Sequence, residues 1–435
     1  MRLCKIPTRM NRRWFLQSVA LSPLLASSAP LVGLLQASQG KPDSGSPVGA
    51  RAAEEPKAGA KVERSLAPAI SPPSKEFMDS LPRLMELAQL PGLGVGVIHG
   101  DRLVWQHYEG VANAVTRAPI TADSIFPAAS MGKQVFAYAV LQLADRHQQD
   151  LDRPLKTYVS EDAPTGSFGE RITARHILSH SSGLPNWRDE ANEPLVPAFE
   201  PGTKFRYSGE GFYYLQRCVE KITGVGCEAF MQEHLFKPLG MSSSTYLWRA
   251  DAGQRLVSGH RGDEPFDNRA FPEQLFQLIE KSGVPLAQWN HDRIVEEMSK
   301  VLSPPHKPVP NETSPNVAFG FLTTVADYAT FVARITQPRG DAFDLKPETR
   351  SAMMKPYSHV NSALAWGLGW GIEEESGARY LWQWGDNGGW KNIVIVHPES
   401  RSALVVFTNG NKGMRVVERI AKAATGRDHA MFLWI

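Results

Sequence analysis

A serine and a lysine three residues apart are the residues most suggestive of chemistry in this 435-residue sequence. Ser130 follows an extended stretch (121–126) and is predicted to stand at the start of a long amphipathic helix. There its hydroxyl would meet the positive end of the helix dipole, and Lys133 would project from the same face one turn on. That geometry suits a serine nucleophile activated by an amine. Because Ser-x-x-Lys occurs about once by chance in a chain of this length, an N-cap serine beside a solvated lysine is the alternative.

A tyrosine in a glycine-rich segment is the second candidate. Tyr207 lies within residues 201–212, which are predicted to form a loop that enters a helix at about Tyr213. Such a loop can present a phenol to a cleft, and the phenol can accept a proton from Ser130 if a nearby ammonium lowers its pKa. A surface loop with a packed tyrosine is the alternative.

The third candidate is the segment 383–390, at which one predicted strand turns into the next. A glycine at the rim of a sheet, here Gly385, lets a substrate lie against the backbone edge. An exposed amide at the same place can donate a hydrogen bond to an oxyanion. An ordinary glycine-rich hairpin turn explains these residues without any chemistry.

Taken in this order, the three segments resemble the serine β-lactamase and penicillin-recognising superfamily, on the branch near class C β-lactamases, D-aminopeptidases and family VIII carboxylesterases. Residues 130–133 match its Ser-x-x-Lys motif, residues 207–209 stand in the place of Tyr-x-Asn, and residues 383–385 stand in the place of Lys-Thr-Gly or His-x-Gly. Phrases at 172–185, 238–241, 322–328 and 366–370 continue the likeness, which runs from about residue 74 to the C-terminus. Each phrase is modest, but the ordered set is specific.

The resemblance implies a serine hydrolase that forms an acyl-enzyme. Ser130 would attack a carbonyl carbon, and Lys133 and Tyr207 would share the duty of general base, each with a lowered pKa. The backbone amides of Ser130 and Asp386 would bind the oxyanion. The substrate site would also include Gly209, Gln383, Trp384 and Gly385. No metal or organic cofactor is required.

Two departures from the family pattern bear on the substrate. Gly209 replaces an asparagine whose amide helps to hold the acyl group, and Gln383 replaces a lysine or histidine that would meet a carboxylate. Glutamine offers only neutral hydrogen bonds. The sequence therefore favours a carboxylesterase-like hydrolase of a neutral, small-molecule ester or amide. A β-lactamase or D-amino-acid peptidase is one alternative, and a non-catalytic protein that binds a ligand or peptidoglycan is another.

The pattern of strands and helices predicts an α/β fold of the α+β type. Strands are expected at 93–98 and 103–108 near one end of the chain, and at 380–384, 392–396 and 403–407 near the other, with a closing helix at 416–425. Both ends would complete one antiparallel sheet, with a mainly helical lobe at about 134–334 inserted between them. Two helices in the segment 268–303, at 273–281 and 292–302, would wall the cleft. Gly94 and Gly96 precede no helix, so a dinucleotide-binding loop is not predicted.

Composition and the first residues predict an exported globular protein. The chain is 42% hydrophobic and 21% charged. Residues 1–39 carry five basic and no acidic residues, so the rest has a net charge of −3 and no basic stripe for nucleic acid. Residues 11–17 resemble a twin-arginine signal, and the apolar run after them is too interrupted for a stable membrane span. We expect a signal peptide (1–39), a flexible linker (40–74), a hydrolase domain (75–435) and a periplasmic location. Met1 and Met10 are alternative start positions, since Met10 immediately precedes the motif, and no pattern specifies an oligomeric state.

Cysteine and histidine raise two smaller questions. Cys218 and Cys227 are predicted to be buried free thiols, although export would permit a disulfide. His176 and His180 have the i, i+4 spacing of zinc ligands. No glutamate follows His176 and no third ligand is evident, so both are predicted to be structural.

Overall fold

The strands of the protein carry or directly precede several of the candidate site residues. A computed structural model describes residues 69–188, 193–247, 255–266, 280–284, 289–301, 315–375 and 377–435. Its strands are β1 (Gly92–His99), β2 (Arg102–Gly110), β3 (Phe126–Ala129), β4 (Gly259–Arg261), β5 (Glu264–Phe266), β6 (Phe321–Thr323), β7 (Ser358–His359), β8 (Leu364–Trp366), β9 (Gly371–Glu375), β10 (Ala378–Asp386), β11 (Lys391–His397) and β12 (Ser402–Thr408).

Helices are the main regular elements described between β3 and β7, and two further helices follow the last strand. They are α1 (Lys75–Ala88), α2 (Gly132–Asp145), α3 (Gly166–Gly169), α4 (Ala174–Leu178), α5 (Gly209–Thr223), α6 (Cys227–Met231), α7 (Lys237–Leu239), α8 (His291–Val301), α9 (Val325–Thr336), α10 (Pro347–Met353), α11 (Met414–Thr425) and α12 (Met431–Trp434). A short 3-10 turn (Leu155–Thr157) and a π-helical turn (Gln232–Phe236) connect some of them.

One antiparallel sheet joins the two ends of the described chain. Its eight strands run in the order β2-β1-β12-β11-β10-β9-β8-β7. The pairing of β1 with β12 runs from Leu93 opposite Thr408 to His99 opposite Ser402. The five predicted strands of the sheet are therefore confirmed, and so is the antiparallel sheet built from both chain ends.

Both faces of this sheet are covered. Alternate residues of β12 face opposite sides: Leu404 packs with α1 and α11, and Val405 packs with the helical lobe. On the lobe side, a Cβ atom at Gly94 or Gly96 would lie within 3 Å of Val325 in α9. These two glycines thus allow a helix to approach the sheet closely, which accounts for their spacing without a nucleotide.

Two helices differ from their predicted form near the site. Helix α2 is buried along its length from Gly132 to Leu143, so it is a core helix rather than an amphipathic one. Helix α5 begins at Gly209, one turn before the predicted start at Tyr213, because the Ser208 side chain caps it by accepting from the Gly211 amide. Gly209 therefore belongs to the helix and not to the loop.

Other sequence predictions fall partly outside the described residues. The predicted signal peptide and the linker up to residue 68 lie outside them, while Ile70 is fully buried and donates its amide to Ser402. In the segment 268–303, the predicted helix at 273–281 lies mostly outside them. The second corresponds to α8, whose Asp292 pairs with Lys221 of α5 at 2.8 Å. Cys218 and Cys227 are buried free thiols, as predicted. None of the helices within the described ranges is long and apolar enough to cross a bilayer.

Candidate active site

Ser130 lies at the junction of a short strand and a buried helix. Strand β3 pairs with β6 and leads directly into Ser130, two residues before α2 begins. The residue before it, Ala129, has a φ of +53°, in the left-handed region that alanine rarely adopts. Backbone strain of this kind persists where the surroundings hold it and is common at functional sites. The strand and helix thus present the Ser130 hydroxyl from a fixed, strained backbone.

Among the described residues, Lys133 supplies the amine that lies beside the Ser130 hydroxyl. It is 1% exposed, and its Nζ lies 3.0 Å from Ser130 Oγ and 2.5 Å from the carbonyl oxygen of Ala318. Burial holds the pKa of Lys133 well below its usual value. Lys133 donates N–H groups to Ala318 and to Ser130 Oγ, and in its uncharged form it can instead accept the hydroxyl proton when that proton turns away from Ala318. The predicted approach of amine to hydroxyl is present.

The carbonyl of Ala318 is a site group that no sequence pattern indicated. It accepts from both Lys133 and Ser130, the latter at 3.2 Å. The turn that carries it is held by two buried amides: Asn316 Oδ1 accepts from the Ala318 amide at 2.8 Å, and Gln216 Oε1 accepts from the Val317 amide at 3.0 Å. A backbone acceptor 185 residues from Lys133 leaves no signature in residue types.

Tyr207 reaches the same place from the segment before α5. Its ring lies under Lys133 Nζ, 4.9 Å from the ring centroid, and its hydroxyl accepts from Gln383 Nε2 at 3.3 Å. Burial raises the pKa of Tyr207, and this outweighs the opposing effect of hydrogen bonds with Ser130 and Gln383. The expectation of a lowered phenol pKa is therefore wrong for the free protein. Tyr207 is a neutral phenol that can donate a proton.

The two histidines have structural partners. His176 forms a capping box with Thr173 at the start of α4. The buried ring of His180 stacks on Tyr207 at 4.1 Å, and its Nδ1 accepts from the Ser208 amide at 3.0 Å. Burial keeps the pKa of His180 well below its usual value, so the ring is neutral. Among the described residues, no group of three or more His, Cys, Asp or Glu could hold a metal ion.

The third motif closes the site from strand β10. The fully buried Gln383 donates Nε2 to the Ser130 carbonyl oxygen at 3.0 Å as well as to Tyr207. A Cβ atom at Gly385 would lie 2.1 Å from the Ala128 carbonyl oxygen. Residue 385 is thus glycine because β10 and β3 lie in close contact there. The sequence analysis had instead explained this glycine by the approach of a substrate. The contact between the two strands brings Ser130 and Asp386, whose amides are the predicted oxyanion donors, to neighbouring strand ends.

The side chains of Asp386 and Trp384 have different surroundings. Asp386 pairs with Lys391 Nζ at 2.5 Å and accepts from the Gly388 amide at 2.8 Å. Trp384 is half-buried, and its ring centroid lies 4.8 Å from that of Tyr207. An aromatic ring, rather than a charged group, therefore stands beside the phenol.

Trp187 explains why residue 209 is glycine. A Cβ atom at Gly209 would lie 2.4 Å from the ring of Trp187, so the indole takes the space that a side chain at 209 would need. Trp187 also packs edge-on against Phe319 at 5.6 Å. The Gly209 amide donates to Asn186 Oδ1 at 2.9 Å. The sequence analysis identified Gly209 but missed Trp187, although it directly follows the family-like phrase 172–185.

A serine held against an uncharged lysine, a neutral phenol and a buried amide, between a helical lobe and an antiparallel sheet, defines the class of protein. It is the active-site type of the penicillin-recognising proteins with the Ser-x-x-Lys motif. A family model described as "Beta-lactamase" matches residues 79–427. The chain belongs to the β-lactamase family.

Individual relatives agree with this assignment. The chain is 22% identical over 381 residues to penicillin-binding protein 4* of Bacillus subtilis, covering 80% of this chain and 74% of that protein. It is 28% identical over 195 residues to esterase EstB of Burkholderia gladioli, covering 38% and 48%. A solved class C β-lactamase superposes with a TM-score of 0.63 at 18% identity, covering 81% of this chain and 95% of that one. At that identity the structural likeness supports the fold alone, and it is class C β-lactamase-like.

Proposed function

We propose that this protein is a serine hydrolase that cleaves a neutral ester or amide through an acyl-enzyme on Ser130. The observation that carries the proposal is the buried Lys133 amine, 3.0 Å from Ser130 Oγ. Because burial lowers its pKa far below that of a free lysine, the uncharged form that can act as a base is favoured. The names of relatives, among them EstB, agree with hydrolysis but do not specify a substrate.

In the acylation step, Lys133 takes the hydroxyl proton of Ser130 as Oγ attacks the carbonyl carbon. The new ammonium is stabilised by the Ala318 carbonyl oxygen and by the face of the Tyr207 ring. As the tetrahedral intermediate collapses, Tyr207 donates its proton to the leaving oxygen or nitrogen and recovers one from Lys133. The alcohol or amine leaves neutral, and Lys133 is again a free amine.

Deacylation repeats these transfers with water in place of the alcohol. Lys133 accepts a proton from water as the water oxygen attacks the acyl carbon, and a proton is returned from Lys133 to Ser130 Oγ as the acyl bond breaks. The backbone amides of Ser130 and Asp386 are the proposed oxyanion donors in both steps. Each such donor contributes about 3 kcal/mol in comparable sites.

The substrate is proposed to be neutral because, within the described part of the chain, the third motif carries a neutral glutamine and its nearby Lys391 is paired with Asp386. Gln383 is uncharged and donates its amide hydrogens within the protein. At position 209 the family asparagine is absent and Trp187 fills its space, so an acylamino group loses a donor. Both features favour an ester over a β-lactam or a D-amino-acid peptide.

The test is covalent labelling combined with turnover. We expect a fluorophosphonate to label the full chain at Ser130, located by peptide mass spectrometry, and p-nitrophenyl acetate or butyrate to be hydrolysed. Ser130→Ala should lower turnover by about 10³-fold or more and abolish labelling. Ser167→Ala, at an exposed serine of α3, is the matched control and should change neither. Unchanged turnover in Ser130→Ala would eliminate the mechanism.

A non-catalytic binding protein is the second candidate, favoured by the changed residues at 209 and 383. It predicts measurable binding of a cell-wall peptide with no covalent adduct from either a fluorophosphonate or a fluorescent penicillin. The two candidates therefore differ in one experiment on the same purified protein.

Export to the periplasm is proposed from the sequence of residues 11–17 alone. Changing both Arg12 and Arg13 to lysine keeps the charge but removes the arginine pair. We expect this double substitution to leave the protein in the cytoplasmic fraction, whereas Arg9→Lys, outside the motif, should not. Equal fractionation of all three proteins would contradict the proposal.

A further inference from the structure

Three aromatic side chains in a chain of ring contacts lead away from the reacting groups, and we call them the aromatic wall: Tyr207, Trp384 and Trp434. The ring of Trp384 lies between the other two, 4.8 Å from Tyr207 and 5.3 Å from Trp434, which meets it edge-on at 89°. All three side chains are half-buried, so the wall is supported from behind but not closed off. Trp434 lies in α12, 304 residues after Ser130, and belongs to none of the three motifs.

The wall is held rigidly by buried rings. Trp384 packs against Trp382 at 5.8 Å and against Trp366 at 6.2 Å, and both of these rings are fully buried. Trp434 contacts the same two rings at 5.8 and 6.4 Å. Rings in contact on several sides retain one orientation. The wall is therefore a fixed set of aromatic rings that stand at different angles to one another.

The position of the wall decides which part of a substrate would meet it. Tyr207 is the proposed proton donor to the leaving group, and Trp384 is in direct ring contact with it. The group that departs from the acyl carbon must come within hydrogen-bond distance of the Tyr207 hydroxyl. It would then lie next to the Trp384 ring.

Among the described residues, the neighbours of Trp384 on its own strand carry no free charge. None of the three wall residues carries a charge, and the neighbouring Gln383 is neutral. Asp386, at the end of the same strand, is paired with Lys391 at 2.5 Å. A carboxylate on the leaving group would lose its hydration here without gaining a cation.

We propose that the aromatic wall is a subsite for an uncharged, planar leaving group, so that the preferred substrates are aryl esters or arylamides without a carboxylate on the leaving side. The inference rests on the proposed function, since it names the substrate class of the same site. Stacked and edge-on ring contacts would stabilise an aryl group, and Trp434 would determine specificity without touching the reacting atoms.

Binding to an inactive protein tests the subsite apart from catalysis. Isothermal titration of full-length Ser130→Ala with 2-naphthol and 2-naphthoate compares two planar probes that differ in charge. We expect 2-naphthol to bind at least tenfold more tightly. In the Ser130→Ala, Trp434→Ala protein, its affinity should fall by about tenfold, because one ring contact is lost. Leu433→Ala, at a side chain of the same helix that is 90% exposed, is the control and should change nothing.

Turnover supplies the second measurement. 4-Acetoxybenzamide and 4-acetoxybenzoate share an acetyl group and differ in the charge of the leaving phenol. We expect kcat/KM to be at least tenfold higher for the amide-bearing ester, and Trp434→Ala to reduce that ratio. If Trp434→Ala does not fold, Trp434→Leu keeps apolar volume without the ring and serves instead.

The outcomes separate the two proposals. Equal binding of 2-naphthol and 2-naphthoate, or unchanged 2-naphthol affinity in both Trp434 variants, overturns the subsite. Selective 2-naphthol binding that depends on Trp434, together with no hydrolysis of any ester, supports the subsite and overturns the proposed function. Ester hydrolysis that depends on Ser130, without a preference for the uncharged probes, supports the proposed function and overturns the subsite.

Discussion

Lys133 shows how a single residue is prepared for its task at the expense of stability. The amine is almost fully buried, and its charge is opposed by burial, while two hydrogen-bond partners, Ser130 and Ala318, hold it in place. Burial thus favours the uncharged amine in the folded protein, whereas the same side chain is charged in the unfolded chain at neutral pH. Its contribution to folding is therefore unfavourable, and its contribution to nucleophile activation is favourable.

We expect Lys133→Met to lower activity by about 10²–10⁴-fold while gaining stability relative to the wild type at neutral pH. The folded-state pKa is lowered, so the unfolded chain binds an extra proton at pH values between the two pKa values, and this favours unfolding. The disadvantage of lysine disappears as pH rises to about 10.4, the ordinary lysine value. Urea unfolding of both proteins at pH 7 and pH 10 measures the difference, which should shrink at pH 10.

The comparison across pH removes a confounding effect. Loss of the hydrogen bond to Ala318 also changes stability, but equally at both pH values. Lys204→Met, at an exposed lysine, should show no dependence on pH. If the difference between Lys133→Met and the wild type is the same at pH 7 and pH 10, the amine is not held uncharged.

Gly209 and Trp187 form a pair whose residues should not be substituted independently. Gly209→Ala places a Cβ atom 2.4 Å from the Trp187 ring, and we expect a loss of about 1–3 kcal/mol in the free energy of unfolding. In a Trp187→Ala background, Gly209→Ala should cause no such loss of stability, because the space beside residue 209 is then free and alanine is a better helix former than glycine. A double-mutant cycle by urea unfolding measures the coupling, and strictly additive losses would show that the ring is not the obstacle.

At the scale of elements, the regular strands were predictable and the helix starts were not. Strands β1, β2, β10, β11 and β12 are short runs of apolar, β-branched or aromatic residues bounded by turn residues, and β2 also alternates between exposed and less exposed residues, all of which are local properties. The start of α5 depends on Ser208 as a cap within a polar, glycine-rich stretch, where several residues could begin a helix equally well. Likewise, α2 begins at Gly132 with Met131 in the cap position, without a side-chain cap. Neither start has a pattern of its own.

The candidate site was likewise only partly predictable from the sequence. Ser130, Lys133, Tyr207 and Gln383 were identified because they stand in ordered motifs. Ala318 contributes only a carbonyl oxygen, which every residue has. Trp187 and Trp434 act through their positions in space, which depend on packing between elements far apart in the chain. Sequence could therefore supply the reacting groups but not the surfaces around them.

Helix α5 has a second role, which is to hold the turn that carries Ala318. Gln216 accepts from the Val317 amide and donates to the Pro315 carbonyl at 2.8 Å, and it also donates to Glu220 at 3.1 Å. Burial raises the pKa of Glu220 to about 7. Gln216 is thus a positioning residue that acts on Lys133 through Ala318.

We expect Gln216→Leu to cost about 1–3 kcal/mol for each buried backbone group it leaves without a partner, and to slow fluorophosphonate labelling of Ser130 by more than tenfold. Gln142→Leu is the matched control, because Gln142 is also a buried glutamine on a helix but donates to Phe343. It should lose stability without losing labelling rate in the folded protein. If both variants label at the wild-type rate when folded, the Ala318 turn does not depend on Gln216.

At the scale of the whole molecule, the site depends on segments that meet only in the finished fold. Ser130 follows β3, Tyr207 precedes α5, Ala318 precedes β6, and Gln383 lies in β10. The sheet that carries Gln383 needs β1 from one end of the described chain and β12 from the other. Partial folding therefore cannot bring Gln383 and Tyr207 to Ser130 and Lys133 without the rest of the sheet.

The last residues of the chain are tied to this sheet by a buried pair. His429 Nδ1 lies 3.1 Å from Glu373 Oε1, and both side chains are completely buried. Glu373, in β9, also accepts from the Met431 amide at 3.3 Å, at the start of α12. The pair thus holds α12 in place, and with it the contact of Trp434 with Trp384 in the aromatic wall.

We expect His429→Ala to release α12 and, with it, the wall. Removing one member of a buried pair leaves Glu373 poorly compensated, which typically costs about 3–5 kcal/mol. Hydrogen exchange at residues 431–435 should become faster than in the wild type, and in the Ser130→Ala background 2-naphthol affinity should fall as it does in Trp434→Ala. Lys422→Ala, which breaks an exposed pair with Asp428 at the end of α11, is the control and should alter neither measurement. Fast exchange at 431–435 with undiminished 2-naphthol binding would mean that Trp434 stays in place without the buried pair, so that the sheet rings alone hold it.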